Sequence, residues 1–72
     1  MSNIVTNLFH EIRYHKKDSE LEGSWYLVFF AMVNAIPQYA TPIKLKDKDV
    51  SDDALEIFKR QAIKAFEEAK NI

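Results

Sequence analysis

From Trp25 to Val33 the chain reads WYLVFFAMV, nine residues without a charge, an amide or a hydroxyl in any side chain except the phenol of Tyr26. So dense an apolar run constrains a chain of 72 residues more than any other feature it has. Below roughly 70–80 residues, a single core seldom supplies more than about 3–5 kcal/mol. Small folds therefore often add disulfides, metals or a second subunit. With no cysteine, disulfides and thiolate metal sites are both excluded. Stability must come from burying this run, and the question is what covers it.

Aromatic and β-branched residues dominate the run, which favours a strand. Its expected neighbour is YATPIKLK, Tyr39 to Lys46, where apolar and polar residues alternate. On one strand this places Tyr39, Thr41, Ile43 and Leu45 on one face and Ala40, Pro42, Lys44 and Lys46 on the other. Pro42 lacks a donor and so marks an edge strand. The pattern predicts a hairpin over about 24–33 and 38–46, with NAIPQ as its loop. The alternative makes Ser24 the N-cap of a buried helix ended by Pro37, giving an all-α three-helix bundle.

A helix is expected before and another after this hairpin in the sequence, both carried on one of its faces. Over residues 2–15, Ile4, Val5, Leu8, Phe9 and Ile12 form a helical stripe, with Ser2 as N-cap and Gly23 supplying a positive-φ turn beyond it. A competing reading makes IRYHKK a short strand. In the last third, Leu55, Phe58, Ala62, Ile63, Phe66 and Ala69 share one helical face. Ser51 is the expected N-cap, with Val50 and Leu55 in staple positions around it. Asp52, Asp53 and Glu56 complement the dipole of the first turns. Glu56 with Arg60, and Lys64 with Glu68, are spaced to pair. The reading is an α+β fold: one domain, 1–72, in the order α–β–β–α.

As a strand, the apolar run has two greasy sides: Trp25, Leu27, Phe29, Ala31 and Val33 on one, Tyr26, Val28, Phe30 and Met32 on the other. An antiparallel strand with one wet face would alternate. Exposing four or five such side chains forfeits on the order of 10 kcal/mol, comparable with the whole stability of a small domain. Two terminal helices could cover both sides, but the polar outer face of residues 40–46 argues against a fully covered second side. A second copy or another protein is then the expected cover. Trp25, Tyr26, Phe29, Phe30 and Met32 are the expected contact residues, since aromatic groups dominate interfaces.

Chemistry is sparse. The sequence has no nucleophile elbow, no glycine-rich phosphate loop (it has one glycine) and no metal-ligand spacing. His10 and His15 are read as isolated surface histidines. Asp47 to Asp53 concentrates carboxylates, but the sixth position of a calcium loop starting at Asp47 is Asp52 rather than glycine; it reads as a solvated loop entering a capped helix. Arg13, Tyr14, Lys16 and Lys17, with Lys44 and Lys46, could contact phosphates and stack a base, although Asp18, Glu20, Asp47 and Asp49 dilute their field.

A net charge of −1 provides no overall attraction to nucleic acid or anionic lipid. The N-terminus lacks a basic leader, and the apolar run is shorter than the roughly 20 residues a spanning helix needs. The expectation is a cytoplasmic, non-enzymatic, cofactor-free interaction module, homodimeric or bound to another protein, that regulates or inhibits its partner. Accessory proteins of phages and mobile elements are often of this kind. The alternative is nucleic-acid binding through the basic residues.

Overall fold

The computed structural model describes residues 2–70. Four strands and one helix follow in order: β1 (Val5–His15), β2 (Ser24–Val33), β3 (Ile36–Tyr39), β4 (Ile43–Leu45) and α1 (Asp52–Glu68). All pairings are antiparallel. β2 is central, with β1 on one side and β3 then β4 in succession along the other. The apolar run is therefore the middle strand of a mixed α+β fold, and the three-helix bundle does not occur.

α1 lies on one face of this sheet. Among the described residues seven hydrophobic side chains are buried: Leu27, Phe29, Ala31 and Val33 of β2 with Ala62 and Phe66 of α1 in one cluster, and Val28 of β2 on the opposite face. Five of the seven come from the apolar run Trp25 to Val33. Leu55 and Phe58 of the helix pack at the margin of this cluster with Val5, Leu8, Ile43 and Leu45. Ser51 caps α1 as its sequence suggests: its hydroxyl accepts from the Ala54 amide at 3.2 Å. Glu56 and Arg60 pair at 3.4 Å, whereas Lys64 and Glu68 do not pair. The helix pattern in the sequence runs on to Asn71, which lies outside the described residues.

The N-terminal segment corrects the sequence reading: residues 5–15 form a strand, not a helix. The cause is a β-bulge. Between the pairs Thr6–Met32 and Phe9–Phe30 the chain takes three steps on β1 but two on β2. Asn7 absorbs the extra residue at φ 53°, a left-handed conformation that Asn tolerates better than most residues. The bulge switches the parity of the strand, so Val5 and Leu8 both face the helix. A strand interrupted this way places apolar residues three apart and mimics a helical stripe. The competing strand reading of IRYHKK holds for Ile12 to His15 only: the strand starts seven residues earlier, at Val5, and Lys16 and Lys17 fall outside it.

The opposite edge slips as well. Phe30 pairs with Tyr39, but Leu27 pairs with Ile43: three steps on β2 against four on the outer strand. Tyr39 therefore lies on the face away from the helix, while Ile43 and Leu45 lie under it. The single face drawn through Tyr39, Ile43 and Leu45 from strict alternation is corrected accordingly.

Two local devices hold the ends. Asn3 crosses to the C-terminus of α1: its side-chain amide donates to the carbonyls of Phe66 (3.0 Å) and Ala69 (2.8 Å), and its backbone amide to Glu67 (3.0 Å). These carbonyls have no partner within the helix. Asn3 Oδ1 in turn accepts from Asn34 Nδ2 at 2.9 Å, and Asn34 Oδ1 accepts from the Ile4 amide at 2.9 Å. One pair of asparagines thus ties strand entry, hairpin turn and helix end together. At the other end, Gly23 does not take positive φ, contrary to the turn expected there. It is needed because a Cβ would lie 2.5 Å from the His15 carbonyl oxygen and 2.7 Å from the Tyr14 ring. Its amide donates to the Tyr14 hydroxyl at 2.8 Å.

The β2–β3 turn is tighter than NAIPQ implied. It is the two-residue turn Asn34-Ala35, with φ 52° and 66°, as type I′ requires. Alanine at such a φ is strained, because its Cβ crowds the backbone. Replacing Ala35→Gly should therefore raise stability by about 0.5–1 kcal/mol, the relief exceeding the extra entropy of glycine in the unfolded chain. Urea unfolding should show a higher midpoint with an unchanged slope.

Candidate functional site

The molecule measures 45 × 28 × 16 Å, with a radius of gyration of 13.6 Å. A compact domain of this length would have a radius near 11 Å. The chain is thus a thin plate. Packed layers sit about 10 Å apart, so 16 Å accommodates two layers, sheet and helix. Among the described elements, none covers the second face of the sheet.

Strand registers divide that open face into rows. At one end, Thr6, Met32 and Pro37 are opposite one another. Next come Phe9, Phe30 and Tyr39, an aromatic row across three strands. Their ring centroids are 5.5 Å apart for Phe9–Phe30 and 5.7 Å for Phe30–Tyr39. The third row holds Glu11 opposite Val28, and the fourth Arg13, Tyr26 and Lys44. His15 closes the series beside Tyr26, their rings 6.5 Å apart. One end of the face is apolar and aromatic, the other aromatic and cationic.

Both register slips are needed for the aromatic row. Without the Asn7 bulge, Phe9 would face the helix and Leu8 the solvent. Without the slip after Tyr39, either Tyr39 or Ile43 would lie on the wrong side. The result leaves Phe9 57% and Tyr39 66% exposed. Two shallow depressions mark the surface. One, of about 210 Å³, is walled by Phe9 and Tyr39 and floored by Phe30 and Met32. The other, of about 250 Å³, lies among Arg13, His15, Tyr26, Val28 and Pro42.

The one strong polar contact on the face joins Arg13 and Glu11, which are 2.6 Å apart and about half exposed. The Glu11 carboxylate raises the guanidinium pKa above its ordinary value, through the hydrogen bond first and Coulombic attraction second. Arg13 therefore stays cationic throughout the accessible pH range.

Of the expected interface residues, Tyr26, Phe30 and Met32 lie on the open face. Phe29 does not: it is 2% exposed beneath α1, so it belongs to the core and is corrected as a contact residue. Trp25 is half-buried on the helix side, with Tyr14 edge-on at 5.1 Å and Leu45 opposite. The expected basic set is split in the same way. Arg13 and Lys44 meet in one row across Tyr26, but Tyr14 projects from the other face and cannot stack a base beside them. Lys16 and Lys17 belong to the β1–β2 loop, and Lys46 follows the last paired residue of β4. Phe9 and Tyr39, the most exposed members of the aromatic row, were missed in the sequence because Phe9 was read into a helical stripe and Tyr39 onto one strand face with Ile43 and Leu45.

His10 and His15 lie on opposite faces of β1, His10 against Phe29 with centroids 6.0 Å apart. Among the described residues, no three His, Asp or Glu side chains gather to hold a metal ion, and no helix is long and apolar enough to cross a membrane. No family model matches the sequence, and no curated protein or solved structure matches it either.

The two faces should respond differently to truncation. Phe29→Ala should cost about 3–5 kcal/mol by opening a cavity in the core. Phe9→Ala should cost no more than about 1 kcal/mol, the worth of one exposed cross-strand pair. Urea midpoints of the two variants check this; equal losses would mean that the open face is covered in solution.

Proposed function

We propose that this chain is a non-enzymatic interaction module that self-associates and presents the open face of its sheet to a partner protein, whose activity it regulates by occupying it. The aromatic row Phe9–Phe30–Tyr39 carries this reading. Monomeric proteins seldom leave contiguous aromatic surface in water, and the core beneath is small enough that further burial would add appreciably to stability. The two ends of the open face define a complementary partner: an apolar ridge to lie along Phe9, Phe30 and Tyr39, followed by carboxylates to meet Arg13 and Lys44. Aromatic anchors supply most of the affinity in such interfaces, and the charged end supplies orientation.

A variant carrying Phe9→Asp and Tyr39→Asp tests the assignment, because both side chains are exposed and the fold should survive. An immobilised wild-type chain is expected to retain a partner that this variant loses by at least ten-fold, with the circular dichroism spectrum unchanged. Equal retention by the two chains would sink the reading.

A second reading is favoured by the row Arg13–Tyr26–Lys44. Cations beside stacked rings suit single-stranded nucleic acid, with phosphates on the charges and bases on Phe9, Phe30 and Tyr39. Two phosphate contacts would lower log K by about 1.4 per decade of salt for a single strand. A fluorescent oligonucleotide titrated at rising salt measures that slope. Absence of binding at about 50 mM salt removes this reading.

A further inference from the structure

The two edges of the sheet are not alike. The β3–β4 edge is short and interrupted, with strands of four and three residues, and it carries Pro37, Pro42 and Lys44. These are the usual means of discouraging edge pairing. The β1 edge is longer: it runs for eleven residues without proline or lysine, and its one irregularity, the Asn7 bulge, lies near its start, ahead of a regular stretch from Phe9 to His15. Among the described residues, no segment pairs with its outer side.

We infer that a second copy of this chain pairs antiparallel with the outer edge of β1, about a two-fold axis at Ile12. This rests on the self-association proposed above and specifies its geometry. Opposite residues in an antiparallel pair turn their N–H and C=O groups the same way. A symmetric pairing must therefore place some residue opposite its own copy. An axis at Glu11 would set two carboxylates face to face, and one at Arg13 two guanidinium groups; like charges directly opposite destabilise a sheet. An axis at Ile12 instead puts Glu11 opposite the copy's Arg13, and Arg13 opposite the copy's Glu11.

Strand regularity selects the same axis independently. β1 pairs without interruption from Phe9 to His15, between the Asn7 bulge and the strand end. Ile12 is the midpoint of that stretch. The register that satisfies the charges is also the one that pairs the whole regular segment with itself. It places Ile12, 37% exposed in the single chain, against its own copy on the helix side. On the open side it sets Phe9 opposite the copy's His15.

In the joined sheet both helices lie on one side and both open faces on the other. The two aromatic rows then belong to one continuous surface, so a partner is offered two equivalent sites. A seven-residue strand pair is about 23 Å long, which makes a smaller contact than most stable dimers have. The association is correspondingly concentration-dependent.

Charge reversal tests the register. Light scattering of the wild type should show mass rising from 8.4 kDa toward twice that value across the micromolar-to-millimolar range. Glu11→Arg and Arg13→Glu should each weaken association at least ten-fold. Mixed in equal amounts, the two variants should associate again, since each carries the charges the other lacks. A same-strand ion pair alone cannot produce that rescue. A fold-independent check uses the absence of native cysteine: Ile12→Cys should oxidise readily to a cross-linked dimer, and Tyr39→Cys should not. Failure of the mixture to associate, or faster cross-linking at Tyr39→Cys, overturns the inference. A dimer dispersed by Tyr39→Asp but indifferent to charge reversal also overturns it, and leaves self-association through the open face standing. A wild type that stays monomeric at every concentration overturns both.

Discussion

Everything in this fold depends on one burial event: Leu27, Phe29, Ala31 and Val33 of the central strand packing beneath Ala62 and Phe66 of the single long helix. Neither partner is stable alone. A helix in a protein draws most of its stability from packing an apolar face, and a small four-stranded sheet needs a hydrophobic face to pack against a helix. Each supplies the other's missing surface. Because there is one helix and the sheet has two sides, the same event that stabilises the chain also leaves a face uncovered. The exposed aromatic row is thus a consequence of how this small core is built.

The irregularities of the outer strands follow from that arrangement. β2 is apolar on both sides, so its own alternation cannot direct the register of its neighbours. Asn7 and the slip after Tyr39 do so instead, each adding one residue, the first beside Met32–Phe30 and the second beside Phe30–Leu27. They bring Leu8 and Ile43 toward the helix, and Phe9 and Tyr39 to either side of Phe30. A bulge costs ladder hydrogen bonds, and that loss is offset here by apolar packing gained on both faces.

The ends of the structure are held by hydrogen bonds rather than by further burial. Asn3 satisfies carbonyls at the end of α1 and, through Asn34, the chain entering β1. Gly23 allows the Tyr14 ring to approach the backbone at the far end of the sheet. These contacts fasten both ends of a thin plate, and they leave the open face to the proposed partner and the β1 edge to the inferred second copy.

The C-terminal helix was legible in the residues themselves, because cap, staple, dipole charges and apolar stripe are all local and all agree. So was the pairing of the apolar run with the segment after it, and so were the two sides of β2, since a strand's period of two leaves no choice once it is a strand. The N-terminal strand was not. A bulged strand and an amphipathic helix produce the same spacing of Val5, Leu8 and Ile12, and only the hydrogen bonds offered by β2, distant in sequence, decide between them. For the same reason the aromatic row escaped periodicity: the faces of Phe9 and Tyr39 are set by register slips against a neighbouring strand. Local chemistry determined which segments are apolar, capped or turned; long-range pairing decided which side of the sheet each aromatic ring occupies.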